Sequence, residues 1–104
     1  MIGKFLNITP KIADSAFIAP SADIIGAVEI GRYSSVWFRV VARADINRIK
    51  IGSYTNLQDG SVLHVDDDKG LHIGDYVTVG HNSILHACYI ADASLIGMGA
   101  IILS

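Results

Sequence analysis

Aliphatic residues recur at every sixth position along most of the chain, and this spacing is the strongest pattern in the sequence. Small residues fill many of the positions four residues later. A short fixed period is the signature of a solenoid. It fits neither the 3.6-residue period of an amphipathic helix nor the strict alternation of a surface strand. The aliphatic positions are Ile12, Ile18, Ile24, Ile30, Val36, Ala42, Ile51, Leu57, Leu63, Ile73, Val79, Leu85, Ile90, Ile96 and Ile102.

A period of six predicts an all-β fold, a parallel β-helix in which each hexapeptide forms one short flat face. Three faces make a triangular coil of about 18 residues, with the aliphatic residue inward and the small residue near the corner. The chain then forms about five coils in one domain, residues 1–104. An ordinary β-sandwich with chance spacing is the disfavoured alternative.

Three irregularities interrupt the period, and each predicts a feature at a corner of the coil. Residues 48–50 add three positions between faces, and the acidic segment 66–70 adds about four. Both insertions predict loops. The second is polar and ends in glycine, as is typical of an exposed turn. One residue is missing between Leu85 and Ile90, which predicts a tightened corner.

Composition and charge narrow the range of partners. The formal net charge is −2 and no basic run is present, which argues against nucleic acid. No apolar stretch resembles a secretory signal or reaches the length of a membrane span. The single Cys88 cannot form an internal disulfide and is expected to be a small buried hydrophobe. These observations favour a cytoplasmic protein. The chain ends in mid-coil without a polar or helical cap, so a longer natural protein is expected.

Two histidines occupy equivalent places in the repeat. His64 directly follows Leu63, and His86 directly follows Leu85, three hexapeptides later once the loop is discounted. Both are therefore expected on one face, one coil apart. Adjacent strands lie about 4.8 Å apart, so the two imidazoles could share one metal ion. Arg43 extends the same column by one coil.

A third histidine is offset from this column. His81 lies two positions after Val79, on the preceding face, so a neighbouring subunit would have to bring it to the same ion. A triangular prism with a site at its edge suits a three-fold trimer. Three imidazoles with an open fourth position are typical of catalytic zinc. The alternative is that these histidines are structural or solvated. His72 has no partner in the repeat and is expected at the surface.

The ordered set of motifs resembles the γ-class carbonic anhydrases over nearly the whole chain. The resemblance implies a left-handed β-helix and a homotrimer. It also implies zinc, or alternatively iron or cobalt, bound by His64 and His86 of one subunit and by His81 of the next. The matching segments are Arg43-Ala44-Asp45, Asn56-Leu57-Gln58-Asp59-Gly60, His64 and Gly80-His81-x4-His86.

The same resemblance implies roles for five further residues. Gln58 matches the residue that orients the metal-bound water, and Asn56 matches one that lies beside it. Ion pairs across the subunit interface, close to the site, are implied for Arg43, Asp45 and Asp59.

The sequence also departs from the family pattern at positions that serve proton transfer. Ile46 stands where the archetypal enzyme has a glutamate. The loop after the first histidine is short, although Asp67 is near the place of the proton-shuttling glutamate. The family's C-terminal helix falls beyond Ser104. The resemblance therefore supports metal binding more strongly than fast catalysis.

The function that the resemblance implies is metal-dependent, reversible hydration of carbon dioxide to bicarbonate. Two alternatives stay open. One is a non-catalytic trimeric metal-binding scaffold or assembly protein. The other is an acyltransferase-like hexapeptide-repeat protein, which would need a catalytic histidine in a loop and a groove for a coenzyme A arm. The three histidines lie on predicted faces, which argues against the acyltransferase.

Overall fold

Fourteen short strands, which pair only in parallel, follow one another in the computed structural model, which describes residues 1–104. They stack as a β-solenoid of about five coils, as the six-residue period predicts. The left hand of the coil stays a prediction. No helix in the structure is long and apolar enough to cross a membrane. The strands are β1 (Ile2–Gly3), β2 (Lys11–Ile12), β3 (Phe17–Ile18), β4 (Asp23–Ile30), β5 (Ser35–Val36), β6 (Val41–Ile51), β7 (Asn56–Leu57), β8 (Val62–His64), β9 (Leu71–Ile73), β10 (Thr78–Val79), β11 (Ile84–His86), β12 (Tyr89–Ile90), β13 (Leu95–Ile96) and β14 (Ile101–Ile102).

The strands form three faces. The first face is a five-stranded sheet of β3, β5, β7, β10 and β13. A nine-stranded sheet covers the other two faces, because the long strands β4 and β6 continue around the corner between them. One of these faces carries β8, β11 and β14, and the other carries β2, β9 and β12.

The aliphatic positions of the repeat form one inward column on each face. Neighbouring coils align these residues as backbone partners, and most of them belong to a continuous core of 19 buried residues. Burial of this apolar surface is the main force that holds the coils together. The columns are Ile18–Val36–Leu57–Val79–Ile96, Ile24–Ala42–Leu63–Leu85–Ile102 and Ile12–Ile30–Ile51–Ile73–Ile90.

The predicted insertion of three residues is present, but its predicted position was wrong. Residues 45–48 lie opposite the single residue Ala27, which gives a surplus of three, and Ile49 is already paired with the neighbouring strand. The side chains of Asp45 and Asn47 each accept a hydrogen bond from the next backbone N–H, both at 2.9 Å. Such local side-chain bonds stabilise an irregular backbone, and here they set the place of the bulge.

The other two irregularities lie where the sequence predicts them. Residues 66–70 form the connection between β8 and β9, outside both strands. The shortened corner between β11 and β12 contains Ala87, whose φ of 49° is in the left-handed region. This corner brings β12 back into register with β9.

Candidate metal centre

His64 and His86 lie side by side on neighbouring coils. They end β8 and β11 and are backbone partners in the sheet, so their predicted register is confirmed. Both side chains are half-buried. Nδ1 of His64 lies 3.3 Å from Nε2 of His86, and the rings meet edge to face with centroids 5.2 Å apart.

The spacing of these two nitrogens fits a shared metal ion. Zinc binds imidazole nitrogen at about 2.0–2.1 Å in tetrahedral geometry, which places two ligand nitrogens about 3.3–3.4 Å apart. The separation of 3.3 Å in the structure has this value. The pair therefore provides two of the ligand positions that a zinc site needs.

The other nitrogen of His64 bonds to a carboxylate. Nε2 lies 2.9 Å from Oδ1 of Asp45, and the other oxygen of Asp45 forms an ion pair with Arg43. Burial on its own would raise the pKa of Asp45. Hydrogen bonds from His64 and the backbone N–H of Ile46, together with the Arg43 charge, outweigh burial and hold that pKa below its usual value. Asp45 is therefore ionised at neutral pH.

This ion pair differs in its partners from the one that the resemblance implies. Arg43 and Asp45 were expected to form pairs across a subunit interface, whereas they pair with each other within one chain. Both lie on β6, two residues apart and therefore on the same outward side of the strand. Pairing across an interface stays a prediction.

The outer nitrogen of His86 faces the acidic loop. Nδ1 lies 3.1 Å from Oγ of Ser104 and 3.4 Å from Oδ1 of Asp66. The sequence comparison pointed to Asp67 as the acidic residue closest in place to a proton shuttle. Asp67 is exposed, and its backbone carbonyl accepts a hydrogen bond from the Asn47 side chain. Asp66 is therefore the loop carboxylate that contacts the histidine pair.

His81 belongs to a separate group of residues on the next edge of the prism. Its Nδ1 lies 3.3 Å from Oδ1 of Asp59, and both side chains are about half exposed. They line a cleft of 420 Å³. No hydrogen bond or ion pair links His81 to His64 or His86, and no three metal-binding side chains converge in the chain. One chain therefore supplies the two parts of the predicted site on different edges.

Asn56 and Gln58 lie on the first face and at its end. Oδ1 of Asn56 accepts a hydrogen bond of 2.9 Å from Ser35, whose hydroxyl oxygen accepts one of 3.2 Å from the indole of Trp37. The amide nitrogen of Asn56 is left as a free donor. The half-buried Gln58 side chain makes no internal hydrogen bond. Ser35 and Trp37 were not among the predicted site residues, although the period aligns Ser35 with Asn56 one coil away.

Comparison with known proteins gives relatives in sequence and in structure. No family model matches the chain. It is 48% identical over 103 residues to a carbonic anhydrase of Geobacillus kaustophilus, covering 99% of this chain and 57% of the relative. It is 47% identical over 100 residues to the mitochondrial gamma carbonic anhydrase 1 of Arabidopsis thaliana, covering 90% and 36%. The chain thus spans less than two thirds of either relative.

A solved structure is similar to the chain over almost its whole length. A hexapeptide transferase family protein from Anaplasma phagocytophilum superimposes with a TM-score of 0.80 at 33% identity, over 99% of this chain and 75% of that one. The similarity therefore extends over all of the coils and is not limited to the histidine segments.

Proposed function

Because the chain belongs to the γ-carbonic anhydrase-like family of hexapeptide-repeat proteins, we propose that its protein catalyses the reversible hydration of carbon dioxide at a shared metal site. His64 and His86 of one subunit and His81 of the next are the proposed ligands in a homotrimer. Zinc is the proposed metal, with iron or cobalt as alternatives. The observation that carries the proposal is the 3.3 Å separation of the His64 and His86 nitrogens in register on adjacent coils.

The separate location of His81 supports the shared site. A ligand set divided between two edges of a prism can be completed when the edge of one subunit packs against that of the next, and three-fold packing closes the ring. Asp59 accompanies His81 on its edge. In a trimer it would be carried to the interface together with that ligand.

His64, His86 and the neighbouring subunit's His81 would hold the zinc, which when bound would lower the pKa of water to about 7 and so supply a nucleophile at neutral pH. The chain's own residues orient the reactants. Asp45 accepts a hydrogen bond from His64 and fixes the direction of that ring. The free amide of Gln58 is proposed to hold the attacking water. The amide nitrogen of Asn56, oriented through Ser35, is proposed to donate to bicarbonate oxygen.

Mixing two inactive variants tests the shared site directly. His64→Ala subunits keep His81, and His81→Ala subunits keep the His64–His86 pair. An intact site forms wherever a His64→Ala subunit supplies His81 to a His81→Ala subunit. Random mixing places the two variants in this order at about one interface in four. We expect metal content and hydration rate to recover to about that fraction after the variants are refolded together, whereas each alone has almost none.

One control variant and two possible outcomes separate the parts of this proposal. His72→Ala subunits should retain full metal content, because His72 contacts neither histidine of the pair. Mixed trimers without recovered metal would contradict the shared site. Mixed trimers that recover metal but hydrate no carbon dioxide would contradict the catalytic proposal and favour a metal-binding scaffold.

Acyl transfer is the second candidate, favoured by the structural similarity to a protein described as a hexapeptide transferase. It would require a histidine that activates an acceptor hydroxyl or amine beside an acyl thioester. His81 is the candidate base, because it lies half exposed in a cleft beside Asp59, whereas His64 and His86 contact Asp45 and each other. Consumption of acetyl-coenzyme A that is lost in His81→Ala and insensitive to metal removal would favour this candidate.

A further inference from the structure

A cleft of 630 Å³ lies on the face formed by β6, β9 and β12. None of the proposed metal ligands lines it, so an inference about it does not depend on the proposed function. The residues that project into it come from three successive coils and from the loop before β9. They include three cations, Arg48, Lys50 and Lys69, and two aromatic rings, His72 and Tyr89.

The cleft concentrates positive charge in a chain that is negative overall. It contains three of the eight lysine and arginine residues and none of the ten acidic ones, while the chain carries a net charge of −2. Neither Arg48, Lys50 nor Lys69 forms an ion pair within 4.0 Å. Glu29, the backbone partner of Lys50, lines the adjacent cleft, which Arg48 and Lys50 also border, but it forms no ion pair with either of them. Three unneutralised cations around one concavity favour an anionic ligand.

The rest of the lining is suited to a ring. His72 and Tyr89 are backbone partners, and their rings stack with centroids 4.9 Å apart at 26°. The buried Ala87 also borders the cleft, whereas the side chain of Leu71 belongs to the hydrophobic core. A stacked aromatic pair offers a flat surface against which a ligand ring can pack. The volume lies within the range of about 300–1,000 Å³ that is typical of ligand sites.

We propose that this cleft binds a phosphorylated ligand that carries a planar ring, of about the size of a nucleoside diphosphate. The planar fork of Arg48 can bind two phosphate oxygens at once, and Lys50 and Lys69 add point charges on either side. The ring of the ligand packs against the exposed Tyr89. Phosphate is favoured over a monocarboxylate because three cations match two or more negative charges.

Calorimetric titration with adenosine diphosphate, pyrophosphate and adenosine tests the charge and the ring separately. Because phosphates chelate metals, the protein is titrated both as purified and after removal of metal with a chelator. We expect adenosine diphosphate to bind to the protein both with and without metal, and its affinity to fall as the salt concentration is raised. Pyrophosphate should bind more weakly, and adenosine alone should give no measurable binding. Absence of nucleotide binding at millimolar concentration overturns the proposal.

Matched variants locate the binding. Lys50→Gln should weaken nucleotide binding about tenfold or more, as expected for loss of a charged hydrogen-bond donor. Arg32→Gln removes the same charge outside the cleft and should leave binding unchanged. Tyr89→Ala should reduce binding of the nucleotide but not of pyrophosphate. If Lys50→Gln and Arg32→Gln lose equal nucleotide affinity, binding depends only on the overall charge of the protein, and the proposed site is wrong. All these residues are exposed, so thermal melting should confirm that each variant folds.

Discussion

Nε2 of His64 donates a hydrogen bond of 2.9 Å to the ionised Asp45, and this bond determines which nitrogen of the ring faces His86. With Nε2 protonated, Nδ1 of His64 carries the lone pair, and it points at His86 from 3.3 Å. Arg43 holds the other oxygen of Asp45. Asp45 is thus a positioning residue for the candidate metal ligand.

Asp45→Asn should therefore weaken metal binding. The amide keeps the size of the side chain but loses the negative charge that fixes the His64 ring. Loss of such a partner typically costs about 10- to 100-fold in metal affinity. Competition with a chromogenic chelator would measure the change. Asp67→Asn is the matched control, because that exposed side chain contacts no histidine. Equal affinities for the two variants would exclude the positioning role.

Metal removal and His81→Ala should loosen the trimer together. If His81 crosses an interface to reach the ion, one ligand serves both binding and assembly, and the two equilibria are linked. In both cases we expect the trimer to dissociate at protein concentrations at which the metal-loaded parent is still a trimer. Sedimentation or light scattering would measure this. His72→Ala serves as the control histidine. A trimer that is unchanged in His81→Ala, with full metal content, would show that His81 is not a ligand.

The repeat predicts the core and the histidine pair because each depends on sheet register alone. Leu63 and Leu85 are fixed as neighbours by the six-residue period, so the residues that follow them, His64 and His86, must be neighbours too. Hydrophobic spacing shows that residues are inserted at a corner, but not which of them leave the regular strand. The bulge at residues 45–48 is placed by hydrogen bonds of its own polar side chains, which the period does not register.

The loop and the interface could not be predicted in the same way. Asp66, rather than Asp67, contacts His86, because a loop outside the strands obeys no repeat. The proposed relation of His81 to the pair would need a second subunit, which the fold of one chain does not determine. Ser35 could have been predicted, since register alone aligns it with Asn56.

Ile46→Glu should increase the hydration rate at low buffer concentration. Ile46 is exposed on the bulge that carries Asp45, and an alkyl side chain cannot accept the proton that each hydration releases. A positioned carboxylate can, and general bases contribute about 10²- to 10⁴-fold when well placed. We expect a smaller gain of about tenfold from an unoptimised position. Ile46→Gln, which cannot accept a proton, controls for polarity.

Stopped-flow measurements across buffer concentrations distinguish the outcomes. The hydration rate of the parent protein should rise steeply with added buffer, and the rate of Ile46→Glu should rise less. A parent rate that is fast and independent of buffer would mean that an internal proton acceptor already exists. An identical gain in Ile46→Gln would show that proton transfer is not the cause.

Gly26→Ala should destabilise the fold and weaken metal binding together. Gly26 has a φ of 81°, and a Cβ there would lie 2.3 Å from the backbone carbonyl oxygen of Ala44, which directly precedes Asp45. The left-handed conformation alone costs about 1–2 kcal/mol for a non-glycine residue, and the backbone clash adds to it. We expect a loss of about 2 kcal/mol or more in the free energy of unfolding.

Gly97→Ala is the matched control, because its Cβ would meet nothing within 4 Å, and its stability should change by no more than about 0.5 kcal/mol. Urea unfolding of both variants, with chelator competition on the folded protein, measures the two effects. If Gly26→Ala loses stability but keeps full metal affinity, then the β4–β6 corner supports the fold without positioning Asp45.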